Sequence, residues 1–236
     1  MIAILKAVFF NNSTNYGAYH KQPSFDNVDR ILVTNNEDYA KEAEKDGVKI
    51  IIEESDSWEA TGPRNSHRLQ SKIPKVLPHK NFSNYDYWLW VDTNFIVMED
   101  PNVMVEKYLD GYDICVQPHP ERQNYFEEAE TCAQSGRDDP SILGKAVDRY
   151  IKSGCPPVGL HECNCILRRN CDKVIKFNNI WWDEIKNYSI RDQISFQYSL
   201  LNAKLQTNLF PGNNTISQQK FPWIPYWNEI IRTESL

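Results

Sequence analysis

At 236 residues with a formal net charge of −6, the chain is long enough to bury a substantial α/β core, and its acidic balance excludes a general nucleic-acid binder, which would carry a basic stripe. No apolar run approaches the roughly 20 residues that span a bilayer, and residues 1–10 lack the basic leader and small-residue cleavage site of a signal peptide. The expectation is one cytoplasmic domain over residues 1–236, with its six cysteines as reduced thiols.

In chain order, residues 1–10 read as a first strand and residues 11–24 as a polar loop over the sheet's carboxyl edge. Residues 30–34 form a second strand, closed by Thr34. Residues 37–46 favour a helix ended by Gly47, and residues 48–52 a third strand. This alternation is that of a parallel sheet with crossovers. Residues 58–77 predict a helix on which Arg64, Arg68 and Lys72, spaced by four, share one face. That face is either a solvated basic stripe or a clamp for a diphosphate, in which arginine makes bidentate contacts. Pro78-His79 closes it.

The central stretch is Tyr85-Asp86-Tyr87-Trp88-Leu89-Trp90-Val91-Asp92-Thr93-Asn94. Trp88 to Val91 is the short apolar run of a strand buried on both faces, and it stops at a carboxylate. In an open α/β sheet, ligands sit beyond the carboxyl ends of the strands. Asp92 and Asn94, two apart, can reach one hard divalent cation, Mg²⁺ or Mn²⁺. Taken alone, Asp-Thr-Asn also reads as a turn.

Residues 101–108 predict a helix and 113–116 a strand whose end carries His119 and Arg122 into the same crevice. Residues 125–134 predict a helix with Glu127 and Glu128, facing solvent or turned in toward an arginine. Asp138-Asp139-Pro140 opens a helix through residue 152. Residues 161–169 alternate like a strand with one face on a cavity, bearing His161, Glu162 and Asn164, with Cys163 and Cys165 on a common side. The apolar stripe of residues 173–188 reads as core. The helix opening at residues 189–196 turns Ile194, Tyr198 and Leu201 inward. It offers Arg191, Asp192 and Gln193 to a polar ligand at its N-terminus, or else uses Asp192 as a plain cap. The tail, residues 206–236 with Trp223 and Trp227, reads as a packing segment, with stacking on a sugar ring as the sharper role.

Four of these segments together, Leu77-Pro78-His79, Trp90-Val91-Asp92, Pro118-His119-Pro120-Glu121-Arg122 with Phe126-Glu127-Glu128-Ala129, and Arg191-Asp192-Gln193-Ile194-Ser195-Phe196, resemble the TOD/MUCI glycosyltransferase-like family over residues 64–201. The resemblance implies the GT-A class: a single Rossmann-like α/β domain with a mostly parallel sheet flanked by helices. It also implies a nucleotide-binding half (1–100), a sugar and acceptor half (101–205), and an Asp-x-Asp that holds Mn²⁺ or Mg²⁺ on the donor diphosphate. Asp92 and Asn94 stand at those metal positions, the second ligand being a neutral amide that would otherwise meet a ribose. Thr34, Arg64, Arg68, Lys72, Trp90, Asn94, Asn164 and Arg191 fall on the donor side. His119, Arg122, Glu127 and Glu128 fall toward the acceptor or behind the site. A more distant similarity, to retaining glycosyltransferases of family eight, implies that Asp192 holds the donor sugar and Gln193 flanks the reacting carbon. The histidine metal ligand of those enzymes would be replaced by His119 or His161, or be absent. If transfer inverts, Asp192, Glu162 or His161 is the candidate base.

The expected function is metal-assisted transfer of a sugar from a nucleoside diphosphate sugar, UDP-linked, to a glycan or polysaccharide acceptor, leaning to retention. The alternative is a catalytically silent nucleotide-sugar or glycan-binding module. The nine glycines are unclustered, which speaks against the glycine-rich phosphate loop of a nucleotidyltransferase or phosphohydrolase.

Overall fold

The computed structural model describes residues 1–10, 21–53, 66–93 and 95–211. Strands β1 (Ile2–Val8), β2 (Val28–Thr34), β3 (Lys49–Ile52), β4 (Tyr87–Val91), β5 (Ile114–Pro118), β6 (His161–Arg169) and β7 (Asn208–Leu209) form one sheet in the order β3-β2-β1-β4-β6-β5-β7. β3, β2, β1 and β4 run parallel, β6 is antiparallel to both β4 and β5, and β7 is parallel to β5. The mostly parallel, Rossmann-like sheet flanked by helices is therefore as expected. From β1 the chain builds outward to β2 and β3, then returns to add β4 on β1's other side. That reversal opens a crevice at the carboxyl ends of β1 and β4, where ligands of such sheets sit.

The alternation of β4 explains its position. Trp88 and Trp90 pack into one apolar layer with Phe177, Trp181 and Phe196, while Leu89 and Val91 pack into the opposite layer with Phe95, Met104 and Tyr108. A strand buried on both faces has no polar alternation to show. The first layer is covered by α8 (Asp172–Asn187) and α9 (Asp192–Ala203). Phe196 meets Trp181 and Phe177 edge to face, at 5.0 and 5.1 Å between ring centroids, a favoured aromatic geometry. Two further helices, α6 (Tyr125–Gln134) and α7 (Pro140–Lys152), pack with Ile194 and Tyr198 of α9 in a third cluster. On the other side lie α1 (Glu37–Lys45), started by the Asn36 cap, and α5 (Pro101–Tyr108), started by the Asp100 cap.

Four local expectations are corrected. The single basic helix over residues 58–77 is, in its described part, two short helices, α2 (Ser66–Gln70) and α3 (Lys72–Val76). Pro74 has no N–H to return to the Gln70 carbonyl, so the ladder breaks between them. Pro78 does not close that helix but opens a third, α4 (Pro78–Asn81), as proline at a first helical position does. Leu201 is not inward but 43% exposed: Ile194 and Tyr198 meet the α6–α7 layer, which does not reach the next turn. Finally, β6 is buried on both faces rather than one, and Cys163 and Cys165 belong to opposite apolar layers. The β5–β6 register jumps from Val116↔Ile166 to Gln117↔Glu162, so residues 163–165 have no partner on β5 and the side-chain alternation resets.

Candidate active site

Asp92 leaves β4 at the sheet's carboxyl edge, its backbone N–H donating to the Asn164 carbonyl on β6 at 2.8 Å. Its Oδ1 accepts from the Trp90 indole N–H at 2.7 Å and lies 3.4 Å from Lys75 Nζ. Lys75 Nζ is also 2.6 Å from Asp192 Oδ2, which takes Lys72 Nζ at 2.9 Å as well. The two lysines, one helical turn apart on α3, thus converge on the first residue of α9. The Lys75 ammonium stands 5.5 Å from the centroid of the Trp90 ring, a cation–π distance. Its backbone carbonyl accepts from the fully buried guanidinium of Arg168, which also donates to Asn178 Oδ1 at 2.7 Å.

These charges tune one another. Burial alone would raise the Asp192 pKa, but Lys72, Lys75 and Arg191 outweigh it and hold the carboxyl well below its usual range. Burial likewise opposes the charge of Lys75, yet Asp192 and Asp92 raise its pKa above the ordinary value. Lys72 goes the other way: burial, with Lys75 and Arg191 nearby, lowers it despite Asp192. Lys6, buried on β1, is brought to about 7 by burial, against the pull of Asp92. Asp192 is not the helix cap, because Arg191 holds the cap position without a side-chain bond.

Behind Asp192 runs a second chain of contacts. Gln193 Oε1 accepts from Arg191 Nη2 at 2.9 Å, and the same nitrogen lies 3.3 Å from Glu128 Oε1. Glu128, fully buried, accepts from Arg122 Nε at 2.6 Å through its other oxygen. Arg122 Nη2 lies 2.9 Å from His119 Nε2. His119 Nδ1 accepts from the backbone N–H groups of Glu121 and Arg122 at 3.1 and 3.0 Å, and burial together with Arg122 lowers its pKa to about 4. The ring is a neutral acceptor that shapes the turn. Glu127 stands outside this chain. Its carboxylate accepts from the Gln123 backbone N–H and from the Asn124 side-chain amide, each at 2.8 Å, while Asn124 Oδ1, the cap of α6, accepts from the Glu127 N–H at 3.0 Å.

The remaining candidates scatter. Thr34 shapes the turn after β2, its hydroxyl accepting from the Asn36 N–H at 3.2 Å. Arg68 donates to the Arg137 carbonyl at 3.2 and 3.3 Å, so it and Lys72 serve different partners. Arg64, Asn94 and the tryptophans of the tail lie outside the described residues. His161 is buried against Phe196 at 5.0 Å between rings, and burial lowers its pKa to about 4. It lines an open groove of about 700 Å³ with Gln197, Leu200, Lys204 and Leu209. Glu162 pairs in register with Gln117. Among the described residues, His161 Nδ1, Asn164 Oδ1 and both amide atoms of Gln117 are buried without a hydrogen-bond partner. Lys75 is the residue that sequence reasoning missed. The signal was present: a lysine inside the apolar run Ile73-Pro74-Lys75-Val76-Leu77 must find a carboxylate to be buried.

A divalent ion fits these residues poorly. Mn²⁺ and Mg²⁺ prefer several oxygen ligands. Here an ammonium group already stands between Asp92 and Asp192, and among the described residues no group of three or more His, Cys, Asp or Glu side chains could hold a metal.

Fold and cluster together define a Rossmann-like α/β domain with an ionic site at the carboxyl edge of its parallel strands. The chain belongs to the TOD1/MUCI70, glycosyltransferase-like domain family, whose model matches residues 25–218. It is 28% identical over 145 residues to "Probable hexosyltransferase MUCI70" of Arabidopsis thaliana, covering 57% of this chain and 25% of that one. It is 27% identical over 156 residues to "Alkaline ceramidase TOD1" of the same plant, covering 60% and 34%. The chain thus spans a quarter to a third of the length of these relatives. Among solved structures, mouse xyloside xylosyltransferase 1 aligns with a TM-score of 0.47 at 9% identity, over 88% of this chain and 84% of that one. A glycosyltransferase involved in the glycosylation of the major capsid of PBCV-1 aligns at 0.46 and 11%, over 89% and 81%. Among the described residues no helix is long and apolar enough to cross a membrane.

Proposed function

We propose that this chain is a GT-A type glycosyltransferase moving a hexosyl group from a nucleoside diphosphate sugar, UDP-linked by our reading, to a glycan acceptor. The observation that carries this is the Lys72–Lys75–Asp192–Asp92 cluster at the sheet's switch point. It offers a diphosphate cations and offers a sugar's hydroxyls a carboxylate. The two plant relatives carry different activities in their names, so family membership leaves the reaction open and the weight rests on the cluster.

In this reading Asp192 accepts hydroxyl hydrogen bonds from the donor sugar. Gln193, oriented by Arg191, lies beside the anomeric carbon, which favours retention. The anomeric C–O bond to the diphosphate breaks, the electron pair departing on the phosphate oxygen. A new C–O bond forms to the acceptor hydroxyl, and its proton passes to that departing oxygen. The side chains supply position and fixed charge where negative charge develops.

The test is thermal stabilisation by UDP, GDP and their sugars. A ligand at a hundred times its dissociation constant adds about 2.7 kcal/mol. One nucleotide series stabilising the wild type and failing with Asp192→Asn supports the assignment, and transfer of its sugar to an oligosaccharide completes it. Binding without any turnover favours the silent module, and binding by none of them removes the reading.

A further inference from the structure

The charges around Asp192 do not balance. Lys72, Lys75, Arg122 and Arg191 meet four carboxylates, Asp92, Asp192, Glu128 and Glu121, the last 3.1 Å from Arg122. The fully buried Arg168, bonded to the Lys75 carbonyl and the Asn178 amide, brings a fifth cation with no carboxylate against it among the described residues, an excess of one positive charge. Lys6, which interacts with Asp92, adds to that excess in whatever fraction it is protonated. Asp192, Lys75 and Glu128 are nearly or fully shielded from water, so this excess is weakly screened. A divalent cation brought here meets a field of its own sign, and an anion meets the opposite.

The geometry repeats the point. Lys75 Nζ sits within reach of both carboxylates, where a bridging metal ion would stand. Each ammonium has three N–H donors. Lys75 faces two carboxylates and Lys72 one, so both have donor capacity for a further acceptor. Lys72 is the more accessible, at 18% side-chain exposure against 5% for Lys75, which places it first in the path of an entering ligand.

We infer that the Lys72–Lys75 pair, in place of a divalent cation, neutralises the diphosphate of the donor. The inference rests on the nucleotide-sugar reading and deepens it: transfer and donor binding are metal-independent. In the step written above, the lysine N–H groups stabilise the electron pair arriving on the phosphate oxygen, and no metal-bound species is formed.

The experiment is calorimetry on the full chain with inorganic pyrophosphate, UDP and GDP, in EDTA and then in Mn²⁺. The expected result is binding in EDTA within about threefold of that in Mn²⁺. Lys72→Met should weaken pyrophosphate at least tenfold and Lys72→Arg should restore most of it, each variant checked for wild-type circular dichroism. Lys75→Met should lose binding too, but a fold defect in it leaves the Lys72 pair of variants decisive. Nucleotide binding that appears only with Mn²⁺, or wild-type affinity in Lys72→Met, overturns the inference while the nucleotide-sugar reading survives. Lysine-dependent pyrophosphate binding with no gain from either nucleoside supports the anion role and overturns the nucleotide-sugar reading. Binding of none of the three probes overturns both.

Discussion

Two ionic clusters in this protein differ in what they leave over. In the helical layer, Arg149 Nε bonds Glu184 at 3.1 Å and its Nη2 donates to the Tyr198 hydroxyl at 2.9 Å. Tyr150 donates to the other Glu184 oxygen at 3.2 Å. The Arg149 guanidinium lies 5.2 Å from the centroids of both Tyr188 and Tyr198. One cation meets one anion, and hydroxyls and aromatic faces complete the shell. At the sheet's edge, cations outnumber carboxylates, and buried acceptors such as Asn164 Oδ1 have no partner among the described residues. A closed cluster explains itself as structure, whereas an open one points to something it binds.

The comparison can be broken most forcefully at Lys75. Lys75→Met strands Asp192 against Lys72 alone, and removing one partner of a buried pair costs about 3–5 kcal/mol. Urea denaturation should show that loss together with lost pyrophosphate binding, and loss of neither would mean that Lys75 is not the keystone drawn above. In the closed cluster, Glu184→Gln should cost about 1–2 kcal/mol, because Arg149 is 43% exposed and solvent screens the pair. Its ligand binding should stay at the wild-type level. A binding defect there would erase the distinction between the clusters.

A pH titration sharpens it further. His119 and His161 are both held neutral by burial, with pKa values of about 4 against about 6.5 when unfolded. Between those values the unfolded chain binds more protons, so stability falls as pH drops from about 6.5 to 4. The slope approaches 1.4 kcal/mol per pH unit for each histidine. His161→Phe should remove one share of that slope. An unchanged slope would show that His161 takes its proton within the fold. The smallest effect belongs to Leu201→Ser, which should stay within about 0.5 kcal/mol by urea denaturation because the side chain is exposed.

Much of this was legible beforehand because it depends on neighbours in the chain. Trp88 to Val91 announced a doubly buried strand, and Asp139-Pro140 announced the start of α7, whose cap Asp139 accepts from the Ser141 N–H at 2.7 Å. The alternatives weighed for Glu127 and Glu128 divided between them, one bonded at the exposed start of α6 and the other turned in to two arginines. Lys75 was overlooked because its partners, Asp92 and Asp192, lie 17 and 117 positions away, and no local pattern encodes such a meeting.

By itself the sequence determined the order and kind of elements, the acid at the end of the central strand and the family motifs, because periodicity, caps and turn residues act over a few positions. Only the tertiary structure decided which charges meet. It split the basic face between Arg137 and Asp192, put Cys163 and Cys165 on opposite sides of the sheet, and set an ammonium group between the two acids. Those outcomes follow from packing and register, where every buried charge must be answered by whatever the fold brings beside it.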